Sequence, residues 1–240
     1  MKMFPVFTFF LLAIQFSCTN MGGEKITGNG QITTQQRKVA AFTDVEIHGG
    51  IKVHLRQDTL APVRLETDAN LMEYVEVESE GGTLVIKPKS NYNLDPSREV
   101  IVYISAPSYK KIDLSGASGL VSDNTIAGAG ELLLECSGAS AMRLEVNMSE
   151  LNIDLSGSSE IELKGQAREV DANLAGASMM RGFDLVAINA SIDLSGSSEA
   201  EVYANENLDA QASGASELRY KGAAKVESKT SGSSSVNRVK

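Results

Sequence analysis

Residues 150–163 read Glu150-Leu151-Asn152-Ile153-Asp154-Leu155-Ser156-Gly157-Ser158-Ser159-Glu160-Ile161-Glu162-Leu163. Apolar and polar residues alternate on both sides of a four-residue break. Period two means strand rather than helix, with one face turned inward and the other to water. The break holds only small residues and one glycine, which suits a sharp corner. The stretch is thus strand, corner, strand.

The break recurs. Ser115-Gly116-Ala117-Ser118, Ser137-Gly138-Ala139-Ser140, Ser156-Gly157-Ser158-Ser159, Ala175-Gly176-Ala177-Ser178, Ser195-Gly196-Ser197-Ser198, Ser213-Gly214-Ala215-Ser216 and Ser231-Gly232-Ser233-Ser234 follow one another at spacings of 22, 19, 19, 20, 18 and 18 residues. A fixed period near twenty is the mark of a solenoid, whose units bury their apolar faces only by stacking. One residue before each corner stand Leu114, Cys136, Leu155, Leu174, Leu194, Ala212 and Thr230, and three before stand Ile112, Leu134, Ile153, Ala172, Ile192, Ala210 and Ser228. Between them lie Asp113, Glu135, Asp154, Asn173, Asp193, Gln211 and Lys229, all polar. After the corner, Leu120, Met142, Ile161, Met180, Ala200, Leu218 and Val236 start a second inward set. Its outward neighbours include Arg143, Glu162, Arg181, Glu201 and Arg219.

The fold expected is all-β, a single-chain right-handed parallel β-helix with coils of ~19 residues rising ~4.8 Å each. Gly116, Gly138, Gly157, Gly176, Gly196, Gly214 and Gly232 are its structural turns. Residues 28–107 lack the signature but remain strand-like, as in Ile51-Lys52-Val53-His54-Leu55 and Val100-Ile101-Val102-Tyr103-Ile104, with Gly49-Gly50 and Gly81-Gly82 at turns. They are expected to form an irregular, β-rich N-terminal cap over the helix of residues 108–240. At the far end the inward residues thin to Val226, Ser228 and Thr230. That open end is a candidate homodimer contact.

Before the cap, Lys2, the apolar run Phe4–Ile14 and Gln15-Phe16-Ser17 form a secretory signal over residues 1–17. The run is short for a membrane span. A small residue followed at once by Cys18 resembles a bacterial lipobox, although Gln15 stands where that motif favours Leu. Cys18 is therefore the expected lipid attachment point, residues 18–27 the tether, and the membrane a partner through that lipid. The other reading is an ordinary leader that ends near a cysteine. Either way the protein leaves the cytoplasm; with Cys18 acylated it is an outer-membrane lipoprotein facing the periplasm or the cell surface.

Composition limits the chemistry. The formal charge of −9 gives no basis for nucleic-acid binding. With no Trp, two His and two Cys, the chain has little material for histidine catalysis, a cysteine zinc site or a disulfide framework. Asp113, Glu135, Asp154 and Asp193 form an outward acidic row whose oxygen ligands suit Ca²⁺. The competing reading is a solvated face. His48 and His54 read as a solvated surface pair, and no histidine lies near the Ser ladder in sequence. Cys136 occupies a core rung and reads as a buried, inert thiol. A polysaccharide-active enzyme would need carboxylates across a cleft, whereas these form a row. No cofactor is implied.

The leader, Gly28-Asn29-Gly30, Phe42-Thr43-Asp44-Val45-Glu46-Ile47, Gly49-Gly50-Ile51-Lys52-Val53 and the serial Ser-Gly-Ala/Ser-Ser corners together resemble the family called putative auto-transporter adhesin head, GIN domain. Gly50-Ile51-Lys52 departs from the more usual Gly-Ile-Asp or Gly-Ile-Asn. The resemblance covers about residues 28–234. It implies a β-helical protein of the bacterial envelope, and adhesion only by name. The function expected from the residues is a non-catalytic binding module that presents a polar β-helix face to protein or glycan. A structural subunit of an envelope assembly is the alternative.

Overall fold

The computed structural model describes residues 23–240. The leader, Cys18 and the start of the tether lie outside the described residues. The first half contains β1 (Glu24–Thr27), β2 (Ile32–Arg37), β3 (Asp44–Ile47), β4 (Lys52–Gln57), β5 (Val63–Asp68), a single 3-10 turn (Met72–Tyr74), β6 (Val75–Glu80), β7 (Thr83–Pro88), β8 (Tyr92–Asp95) and β9 (Ile101–Ala106). The repeat region contains β10 (Lys111–Leu114), β11 (Gly119–Ser122), β12 (Ile126–Cys136), β13 (Ala141–Leu155), β14 (Glu160–Leu174), β15 (Met179–Leu194) and β16 (Glu199–Ala212). It closes with β17 (Glu217–Lys221), β18 (Lys225–Thr230) and β19 (Ser235–Arg238).

From β12 to β16 each strand pairs in parallel with the next, one coil on another. The register is that of the sequence repeat: Leu155 stands opposite Leu174, Leu174 opposite Leu194, and Leu194 opposite Ala212. Ile112, Leu134, Ile153, Ala172, Ile192 and Ala210 are all buried, as is Cys136. The two strands expected per coil merge into one of 15 residues in β13 and 16 in β15. The chain bends where the alternation slips: in β13 the buried series Met142, Leu144, Val146, Met148 resumes at Leu151, three residues on. Each fully buried aliphatic side chain contributes about 1.5–3 kcal/mol, so these inward rungs dominate the stability of the stack.

The corners carry the ladder rather than interrupt it. The seven signature glycines have φ between 73° and 83°, a region that costs other residues roughly 1–2 kcal/mol. At Gly157 a second constraint applies, since an added Cβ would lie 2.7 Å from the Gly138 carbonyl oxygen. That oxygen accepts a 2.7 Å hydrogen bond from the Ser158 N–H, while the Ser156 and Glu160 N–H groups bond Cys136 and Ser140 at 2.9 and 3.0 Å. The fourth corner position, for which the sequence suggested only a need for smallness, is buried. Ser118, Ser140, Ser159, Ser178, Ser198 and Ser216 each turn Oγ inward and donate to the carbonyl three residues back, at 2.8–3.0 Å.

The stack also reaches into the cap region. β10 pairs in parallel with β3 and β11 with β4, which places His48-Gly49-Gly50-Ile51 under Ser115-Gly116-Ala117-Ser118 as one more corner. Ser115 and Gly119 N–H groups donate to Ile47 and Ile51 at 2.9 and 3.0 Å. β7 and β9 form the next parallel layer on β3 and β4. Antiparallel strands then close the end, with β5 on β9, β6 on β7 and β2 on β5. Buried Asp68 pins this cap. Its carboxylate accepts from the Gly30 N–H at 2.6 Å, the Ser97 N–H at 2.9 Å and the Ser97 Oγ at 2.7 Å. Burial alone pushes that carboxyl's pKa up, but the three donors outweigh it and hold the pKa below the usual value.

Two outcomes follow. Gly50 has φ +80° with open space around it, whereas Gly157 has φ +76° and a neighbour's carbonyl against it. In urea titrations Gly50→Ala should cost about 1–3 kcal/mol and Gly157→Ala clearly more; equal costs would mean that stacking at the corner is unimportant. Asp68 contributes stability that is present above the unfolded carboxyl's pKa of about 3.9 and lost as pH falls below it. Asp68→Asn should lower stability at pH 7 by about 1–3 kcal/mol and flatten the acid limb of the stability curve.

Candidate functional site: an acidic face and its trough

The parallel register stacks outward residues as strictly as inward ones. Asp113, Glu135, Asp154, Asn173, Asp193, Gln211 and Lys229 form one row beside the corners. A second row behind it runs Lys111, Leu133, Asn152, Asp171, Ser191, Asp209 and Glu227, and a third runs Glu131, Glu150, Glu169, Asn189, Asn207 and Lys225. The alternation beside each corner predicts the first row. Counting two and four residues further back from each corner would have found the others.

Carboxylates dominate this face, and its cations stand at the row ends. Lys111 lies 2.7 Å from Glu135 and 3.8 Å from Asp113. Asp113 still has its pKa raised, first by burial and then by the Glu135 charge. Asp171 is raised too, by burial and then by Asp193, Asp154 and Glu150. Amides relieve part of the crowding: Asn173 Nδ2 donates to Asp154 Oδ1 at 3.1 Å, Asn152 to Glu131 at 2.6 Å and Asn189 to Glu169 at 2.9 Å. The strands after the corner are different. There Arg143 pairs with Glu162 at 3.0 Å, Lys164 with Glu145 at 2.9 Å, Arg219 with Glu201 at 2.7 Å, and Arg181 with Glu160. Charge alternates and cancels on that side, which leaves the excess negative charge on the face before the corners.

Along that face runs a trough of about 740 Å³, lined from Asp113 and Glu135 at one end to Lys229, Thr230 and Ser231 at the other. Its wall is the first acidic row, and the corner residues Ser137, Ser156, Ser195 and Ser213 add hydroxyls. The four candidate calcium ligands, Asp113, Glu135, Asp154 and Asp193, all line it. They stand on successive or alternate rungs, however, and among the described residues no three His, Cys, Asp or Glu side chains converge as a metal site. Nor do its carboxylates face one another across a cleft, as acid and base of a glycosidase would. They form a single row.

Each histidine, read from the sequence as one of a solvated pair, has a partner of its own, although His54 stays partly exposed. His54 Nδ1 lies 2.9 Å from Asp123 Oδ1, with the ring stacked on Tyr103 at 4.9 Å. His48 Nδ1 lies 2.5 Å from Ser115 Oγ. Sequence separation hid this contact, because the two residues are 67 apart and meet only when β10 stacks on β3. Burial pushes the Cys136 thiol up to about 12.

Residues 41–224 match the model of the family described as "Putative auto-transporter adhesin, head GIN domain". Among solved structures, a "putative lipid binding protein" from Parabacteroides distasonis is 28% identical with a TM-score of 0.70, over 90% of this chain and 100% of that one. A "putative adhesin" from Parabacteroides merdae is 22% identical with a TM-score of 0.71, over 91% and 100%. Another from Bacteroides fragilis is 17% identical with a TM-score of 0.84, over 89% and 100%. The last two likenesses are of fold. No curated protein matches the chain.

Cys136 provides the check on this geometry. Its thiol should stay unmodified by a soluble disulfide reagent at pH 8 in the native protein and react fully in urea; rapid native labelling would mean that the trough floor is open there.

Proposed function

The chain belongs to the head GIN domain family, and from that premise we propose that it is a non-catalytic binding module of the bacterial envelope. In this reading the leader takes it across the inner membrane, and a lipid on Cys18 holds it at the outer membrane with the β-helix exposed to the outside. Its ligand is an extended polar chain, of glycan or protein, laid lengthwise in the trough. The observation that carries this is the shape of the polar surface: one trough follows the stack from Asp113 to Ser231 and offers a carboxylate, amide or hydroxyl at nearly every rung. Such a surface reads length and charge along a polymer. It has no enclosed pocket for a small substrate.

The family description supports an adhesin-like role at or beyond the cell surface. The name of the Parabacteroides distasonis relative adds a lipid as a ligand class to include in any screen. A structural part in an envelope assembly is favoured by one separate feature: among the described residues β18 and β19 are each paired on one side alone.

On glycan arrays and matrix-coated surfaces the wild-type protein should be retained, and Asp154→Lys with Asp193→Lys should weaken retention at least tenfold. Arg143→Ala with Arg219→Ala, on the charge-balanced side, should leave it unchanged. Equal retention of both variants would remove the trough from the account. Trypsin added to intact cells should remove the protein; protection until the outer membrane is opened would rule out adhesion and favour the structural role.

A further inference from the structure

The two ends of the stack are finished differently. Antiparallel strands cover the N-terminal end, while at the other end, among the described residues, β18 pairs only with β16 and β19 only with β17. We propose that a second copy of this chain docks on the open end, β18 against β18, antiparallel and centred on Ser228.

Backbone geometry and charge select that register independently. The Ser231 N–H donates to the Ala212 carbonyl, and Ala212 stands opposite Thr230. In a parallel ladder this turns the polar groups of Lys225, Glu227 and Lys229 towards β16, and those of Val226, Ser228 and Thr230 out of the end of the stack. Antiparallel pairing about Ser228 joins Ser228 to Ser228 of the second copy and Val226 to Thr230 of the second copy. Every outward-directed N–H and C=O of those three residues is then used. The side chains agree with this register. Glu227 comes opposite Lys229 of the second copy, and Lys229 opposite its Glu227, an arrangement that favours cross-strand contact. Centring on Glu227 instead would set Glu227 against Glu227 and Lys225 against Lys229. Within one chain Lys225 already pairs with Glu227 at 2.9 Å, while Lys229 has no ion pair among the described residues.

The end also exposes what a partner would cover. Val226, Val236, Tyr220 and Ala224 are only partly buried, although Leu208 and Leu218 one coil inward are fully so. Two of the three rows end in lysines there, Lys225 and Lys229, and the row between them ends in Glu227. Two acidic faces meeting at this junction would therefore meet through a lysine–glutamate–lysine edge in which cations outnumber the carboxylate. Because β18 belongs to the acidic face, the assembly presents both acidic faces on one side. A polymer ligand long enough to reach both gains from the second site by proximity.

The test is sedimentation equilibrium on the chain without its leader (residues 18–240) carrying Cys18→Ser, so that neither the apolar run Phe4–Ile14 nor an acyl chain drives association. The mass should rise towards twice that of the chain between micromolar and about 100 μM, a range in which weak, specific dimers form. Glu227→Lys alone and Lys229→Glu alone should each weaken association at least tenfold, and the double variant should recover to within about threefold of wild type, as a coupled pair requires. Both positions are exposed, so thermal midpoints of all three variants should match wild type and exclude misfolding. A mass of one chain throughout, or a dimer indifferent to all three variants, overturns the proposal.

Discussion

Everything in this molecule depends on how closely successive corners approach. The Gly138 carbonyl sits 2.7 Å from where a Cβ on Gly157 would be, and the same oxygen takes the Ser158 N–H. A side chain there would push the coils apart at the one point where the chain turns most sharply. The strands on both sides share a single ladder and would lose register with it. Positive φ selects glycine at each corner, and from Gly138 to Gly232 the preceding corner's carbonyl oxygen, 2.5–2.7 Å from an added Cβ, forbids anything else. The buried Ser of the fourth position completes the turn by satisfying a carbonyl that the strands leave over. With the corner settled, inward and outward residues have no freedom of register, since a slip of one residue would expose Leu155 and bury Asp154.

That strictness explains what could be read directly. The seven glycines, their spacing and the alternation around them specify the stack, and the inward rungs Ile153, Ala172, Ile192 and Leu155, Leu174, Leu194 are buried where expected. The first coil was harder to read. Its corner is His48-Gly49-Gly50-Ile51, with no Ser, and between β4 and β10 the chain builds the antiparallel cap and the parallel layer of β7 and β9 beneath it. A repeat interrupted by so long an excursion has no fixed period. Contacts made across it, such as His48 with Ser115, have no local signal. Of the candidate site, the row nearest the corner was legible, while Asp171, Glu150 and Glu169 were not, because they lie farther from the glycine that anchors the alignment.

Outward rows carry a different kind of information. Inward positions must be apolar for the chain to fold, and corners must be small. The solvent-facing positions of the same strands answer to neither requirement. On the side after the corners they are filled in the way that costs least, with Arg and Glu on alternate coils and paired at about 3 Å. The side before the corners keeps carboxylates on neighbouring rungs, well inside the Debye length of about 8 Å at physiological salt. The fold does not need that arrangement.

The acidic face therefore works against the stack that presents it. Asp113 and Asp171 have raised pKa values because burial and their acidic neighbours disfavour the ionised form. For an acid raised on folding, ionisation costs stability at neutral pH, and the cost fades as pH falls through the folded-state value. The inward Leu and Ile rungs absorb it, at about 1.5–3 kcal/mol per buried side chain against at most about 1 kcal/mol for an exposed charge contact. A basic ligand laid along the trough would neutralise several rungs at once and remove part of the repulsion. Binding and folding are then linked: whatever cationic chain occupies the trough stabilises the coils beneath it, in proportion to the number of rungs it spans.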